Sequence, residues 1–179
     1  MADHSRWRLF VYRLAYVGLS LGIMIFQLLP LDHLDDRWAG PDLLLAIPFA
    51  WALRRPEYVP ALSVALVLLL ADLLFQRPPG LLAAFGVLAV ENIKSRSAAL
   101  RGQSFMVEWL HVAVLIVVIL LACRIVLAVL LIPQAPLVLS LMQVLLTILV
   151  YPVVVFASGA LLGIRKSALG DVIALGSRT

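Results

Sequence analysis

The chain has 179 residues, 64% of them hydrophobic and 13% charged, and its mean hydropathy is +1.08. A soluble chain of this length has too little polar surface to cover so much apolar side chain, so lipid is the solvent that fits. The net charge of +4 does not point to nucleic acid, because the basic residues are scattered as flanks of apolar runs, where anionic lipid headgroups account for them.

The apolar runs are continuous rather than alternating, which favours helices over a barrel. Six spans are expected, at residues 9–29, 41–53, 59–75, 80–90, 107–132 and 136–164. They make one domain, residues 1–179, an all-α six-transmembrane-helix bundle. Span one carries Gly18 and Gly22 four residues apart. It reads as a retained signal anchor, since its apolar region is long and no small-x-small cleavage site follows. Span two opens on Pro41, tolerated in a first helical turn, and Asp42, which suits the positive end of the helix dipole. Span three holds Asp72 near its outer end, and Pro78, Pro79 and Gly80 turn the chain into span four. Residues 91–106 read as a basic cytoplasmic hinge and the longest loop. Span five contains Cys123, the single cysteine, and Arg124. Span six contains Pro152, expected to kink it, and a second glycine pair, Gly159 and Gly163. Spans two and four fall short of the roughly 20 residues a straight crossing needs. A re-entrant path is the alternative for each.

Charge orders the spans. With six crossings, Arg6, Arg8, Arg54, Arg55, Lys94, Arg96, Arg101, Arg165, Lys166 and Arg178 fall on one side. Only Arg37 and Arg77 flank spans on the other side, and the loop around Arg37 also holds Asp32, Asp35 and Asp36. The positive-inside rule then places both termini in the cytoplasm. Trp7, Trp51, Trp109 and Trp38 fall near span ends, as interfacial belt residues do.

No phosphate loop, H-E-x-x-H or G-x-S-x-G is present, so no catalytic, cofactor-binding or metal site is expected. Glu108 and His111 share a helix face but lack further ligands, and a boundary contact is the expected role. Intramembrane polar residues are costly and tend to face the protein interior. Asp72 and Arg124 lie at similar depth in the outer half of the bilayer, and an ion pair between them is one arrangement. In the other, Asp72 pairs with Arg77 or Gln76, and Arg124 meets a partner subunit or reaches outward. Ser140, Gln143, Thr147, Tyr151 and Ser158 recur at steps of 3, 4, 4 and 7, a single polar stripe on span six. It is expected to face the bundle, either as interhelical hydrogen bonds or as the wall of a small cavity. The glycine pairs are small-xxx-small faces where helices can touch closely, within the bundle or with a partner.

Several of these segments together carry a family resemblance. Pro41-Asp42-Leu43-Leu44 opens span two, and Trp51 with Arg54-Arg55-Pro56 closes it. Ala71-Asp72-Leu73-Leu74-Phe75 is followed by Pro78-Pro79-Gly80-Leu81, and Tyr151-Pro152 by Arg165-Lys166. Over essentially its whole length the chain resembles the rod-shape-determining MreD family. The resemblance implies a multi-pass, non-catalytic subunit of the bacterial inner membrane, without cofactor, that supports peptidoglycan synthesis and cell shape in the elongation machinery. Its implied partners are MreC, RodA and the class B penicillin-binding transpeptidase, with the MreB filament engaged indirectly. Pro78, Pro79 and Gly80 join the two glycine pairs as candidate contact surfaces. Gln76-Arg77-Pro78-Pro79 departs from the family, which more often has small residues before a single proline. Six-helix bundles of this size also resemble the substrate-binding components of vitamin transporters. That is the alternative function, to be told apart by a polar cavity open to the outer face.

Overall fold

The computed structural model describes residues 2–29 and 39–161. Among these the chain is wholly helical: α1 (Ala2–Leu28), α2 (Leu43–Arg54), a 3-10 turn (Pro56–Tyr58), α3 (Ala61–Leu74), α4 (Leu81–Arg101), α5 (Phe105–Val129) and α6 (Leu137–Leu161). Three of these helices are long and apolar enough to cross a membrane, over Arg6–Leu28, Phe105–Val129 and Leu137–Leu161. At 1.5 Å per residue, 25 residues reach about 37 Å against a hydrocarbon core of about 30 Å.

Of the other three helices, α3 follows the expected span, and α2 and α4 differ from expectation in informative ways. α2 has 12 residues, roughly 18 Å of helix, and every residue from Leu44 to Arg54 is buried. A helix buried on all sides belongs in a core. α2 is that core, packed between α1, α4 and α6. Its Asp42 is the N-cap, accepting from Leu45 N–H at 3.2 Å, so Pro41 precedes the helix rather than opening it. α4 does not stop at residue 90. It runs on to Arg101, and the expected hinge shrinks to Gly102–Ser104. The segment is rich in good helix formers and carries an i,i+3 pair, Glu91–Lys94 at 2.7 Å. Charge ended the apolar run but not the helix.

Side-chain ties fix the direction of each helix. Tyr12 of α1 stacks on Tyr58 at 4.3 Å, and Tyr16 packs on Trp51, so the start of α1 meets the end of α2. Trp51 Nε1–H donates to Ser158 Oγ at 3.0 Å, and Asp42 N–H donates to Thr147 Oγ1 at 2.8 Å. α2 and α6 are therefore parallel. α5 and α6 are antiparallel, tied by Arg124–Ser140 at one end and Glu108–Tyr151 at the other. The turn between α3 and α4 lies beside the start of α2 through Arg77–Asp42. α2, α4 and α6 thus share one direction, and α1, α3 and α5 the other.

Two further expectations are corrected. Trp51 is not an interfacial residue; it is fully buried at the centre. Gly18 and Gly22 are exposed, with nothing within 4 Å of a Cβ added at either, so they make no contact inside the bundle. The close approach is at Gly86 of α4, where a Cβ would run into Leu68 of α3 and touch Leu45 of α2. Gly159 is half-buried in α6. Gly163, Trp38 and the charges of residues 30–38 and 162–179 lie outside the described residues. The faces of α1, α3, α5 and α6 away from α2 expose large apolar side chains, among them Phe26, Leu62, Val118 and Phe156.

Candidate functional site

The polar residues gather at the two ends of α2, bridged by the stripe on α6. At the α2 C-terminus, Arg54 Nη1 donates to Glu108 Oε1 at 2.7 Å and to the Ala50 carbonyl at 3.1 Å. Tyr151 O–H donates to the same Glu108 oxygen at 2.9 Å. The Arg54 and Glu108 side chains are 6% and 0% exposed. Buried ions persist only when paired and hydrogen-bonded, and here three helices supply the partners. One residue on, Pro152 has no N–H to offer the Ile148 carbonyl. Trp109 Nε1–H takes that place from α5 at 2.9 Å. Beside this end, in the connection outside the spans, burial pushes the Tyr58 hydroxyl above its ordinary pKa against the opposing pull of Arg55.

At the α2 N-terminus the arrangement is more open. Thr147 Oγ1 accepts from Asp42 N–H and donates to the Gln143 carbonyl at 2.7 Å. Asp42 Oδ2 accepts from Arg77 Nη1 at 3.2 Å. Gly80 adopts a left-handed conformation, φ 84°, which glycine reaches without strain, and it precedes α4 with no side chain to cap it. Asp72 supplies the missing cap from α3. Its Oδ2 accepts from Gly80 N–H at 3.1 Å and Ala83 N–H at 3.3 Å, placing negative charge at the positive end of α4.

The Asp72–Arg124 ion pair is therefore not formed. Arg124 Nη1 donates instead to the Ala135 carbonyl at 3.2 Å and Ser140 Oγ at 3.0 Å, and Gln134 Nε2 donates to the Arg124 carbonyl at 3.0 Å. Arg124 thereby holds the α5–α6 turn onto its own hairpin. The two residues share a space all the same. Asp42, Asp72, Arg77, Arg124 and Gln143 line a cavity of about 220 Å³, with Ser140 and Thr147 on its rim and an apolar wall that includes Ile116, Ile119 and Leu120.

Comparison of the chain with protein-family models, with curated proteins and with solved structures gives no match.

Of the stripe, Thr147, Tyr151 and Ser158 are buried and bonded to α2 or α5, while Ser140 and Gln143 border the cavity. Pro78, Pro79 and Gly80 form the α3–α4 turn beside it. Sequence reasoning missed Arg54 and Glu108, reading one as a cytoplasmic flank and the other as a boundary residue. The signal was available. Arg54 ends one span and Glu108 begins another on the same side, so opposite charges meet at one depth.

Proposed function

We propose that this chain is a non-catalytic scaffold of the bacterial cell-elongation machinery. It crosses the inner membrane six times with both termini in the cytoplasm and holds MreC and the wall-synthesis enzymes by lateral contact. One observation carries the reading: the residues on which the MreD resemblance rests are those that build the bundle. Asp42 caps α2, Asp72 caps α4, Trp51 and Tyr151 fill the centre, and Arg54 joins α2 to α5. They are committed to holding helices together, and this leaves the outward faces for partners. Apolar burial gives no net drive between helices in lipid, so close packing must carry association. Gly18 and Gly22, with open space before them, offer a flat face on α1 for that contact.

The alternative, a vitamin-binding transporter component, asks for a large outer cavity. The α2 N-terminal end holds one cavity of about 220 Å³ and a second, more polar space of about 490 Å³ beside Gln27, Asp42, Arg77 and Gln143, against roughly 300–1,000 Å³ for pockets that take drug-sized ligands, so volume does not separate the two readings. Copurification from membranes tests the choice. MreC should come with the tagged protein, and Gly22→Leu should reduce its recovery severalfold at equal expression and unchanged thermal stability. Recovery of a vitamin-sized compound without MreC turns the assignment to the transporter class.

A further inference from the structure

The cavity at the α2 N-terminus contains a group that the fold does not use. Asp72 is 0% exposed, and its Oδ2 makes both capping bonds. Its Oδ1 is buried with no hydrogen-bond partner among the described residues. An unpaired carboxylate oxygen out of contact with water costs far more than one bonded to a donor, so such an oxygen marks a place for one. A third backbone N–H, that of Leu82, also faces the Asp72 carboxylate, and no neighbouring side chain donates to Oδ1. Arg77 is turned to Asp42, and every hydrogen bond from the Arg124 guanidinium to the described residues leaves Nη1. Among the described residues, Nε and Nη2 of Arg124 meet no acceptor, and Arg124 lies on the wall of the same cavity.

We propose that this cavity is a binding site for a small zwitterion, its ammonium N–H donating to Asp72 Oδ1 and its anionic group facing Arg124. Charge arithmetic supports a zwitterion over a simple ion. Among the described residues, Asp42 and Asp72 balance Arg77 and Arg124, so their lining is neutral, and a single charge added there would go unbalanced. Size limits the ligand further. A cavity of about 220 Å³ holds a headgroup or an amino-acid-sized molecule. The apolar walls at Ile116, Ile119 and Leu120 suit a ligand with an aliphatic body or tail. A phosphoethanolamine lipid headgroup and a free aliphatic amino acid share this chemistry. The assignment stands apart from the scaffold reading: it needs neither MreC nor the family resemblance.

The test uses the full chain in nanodiscs made only of phosphatidylglycerol. Three soluble probes are titrated while thermal unfolding is followed: glycerophosphoethanolamine, leucine, and glycerophosphocholine. The last has a quaternary ammonium with no N–H to give. Saturable stabilisation is expected from one or both of the first two, and whichever acts identifies a headgroup or a free solute as the source. Binding of glycerophosphocholine should be weaker by at least about tenfold, the size of one hydrogen bond to a charged group. Asp72→Asn should weaken binding by a similar factor. Because Asp72 also caps α4, Leu120→Phe provides a second variant that fills the cavity without touching the cap. It too should abolish binding, and Arg55→Gln at the far end of α2 should leave it unchanged. Absence of saturable binding by either N–H-bearing probe would mean that Oδ1 receives no ligand donor, and the site would be withdrawn. Equal binding of the choline probe, or undiminished binding by Leu120→Phe, would overturn it as well.

Discussion

Glu108 receives both Arg54 and Tyr151 on one oxygen, in a part of the protein where no water is needed to explain the pairing. Truncating one side of a buried pair leaves an unpaired ion, a loss of about 3–5 kcal/mol, whereas replacing both by apolar groups of similar size is often neutral. Arg54→Met and Glu108→Leu should therefore each lower stability by about that much, and the double variant by clearly less than their sum. Denaturant titration of the detergent-solubilised protein reads the coupling, and strict additivity would show that the pair contributes nothing. The residue scale was partly legible in the sequence. The spacing of Thr147, Tyr151 and Ser158 placed them on one face, and that face is buried. Asp72 was singled out for its cost in lipid, but its partner was sought among side chains. The backbone N–H groups of Gly80 and Ala83 are an equally good partner, and a sequence does not display them.

Helix existence was readable from apolar runs, whereas helix ends were not. Residues 91–101 were assigned to a loop because charge and apolarity were used as the boundary, yet they continue α4, with Glu91 and Arg96 on its exposed face and Ile93, Ser97 and Leu100 on its buried one. Small-residue spacing likewise did not say which faces touch inside the bundle. The pair Gly18 and Gly22 matches a helix-contact spacing and faces open space, while Gly86, alone in its helix, lies where α4 meets α2 and α3. Only the packed elements distinguish them. Gly86→Leu should wedge α4 away from Leu68 and Leu45 and cost about 1–3 kcal/mol, as overpacking of a filled core does. Gly22→Leu should leave stability within about 0.5 kcal/mol, as surface changes usually do. Thermal unfolding of the two variants side by side gives the answer, and equal losses would mean that neither glycine marks the close approach.

Over the whole molecule, the length rule and the charge rule pull in different directions for α2. Twelve residues do not reach across a bilayer, yet Arg54 and Arg55 follow this helix as flanking charges should. Packing resolves the conflict. α2 is walled off by α1, α4 and α6, so its ends meet protein, and Asp42 and Arg54 find their partners there. Polar backbone at depth is tolerated where protein covers it. The alternation of helix directions then has a consequence for topology. The α5–α6 turn lies at the same end as Asp42 and the α3–α4 turn, and the charged half of α4 lies at the other, beside Arg54 and Arg55. If α2 and α4 complete the crossing, these ends face opposite compartments, with the arginine-rich end inside. Single cysteines at Ala135 and Ser95, both exposed, report each end in a Cys123→Ala background. An impermeant maleimide added to intact cells should label Cys at position 135 and spare position 95 until the membrane is opened. Labelling of both positions from outside would place the two ends in one compartment and reduce the number of crossings.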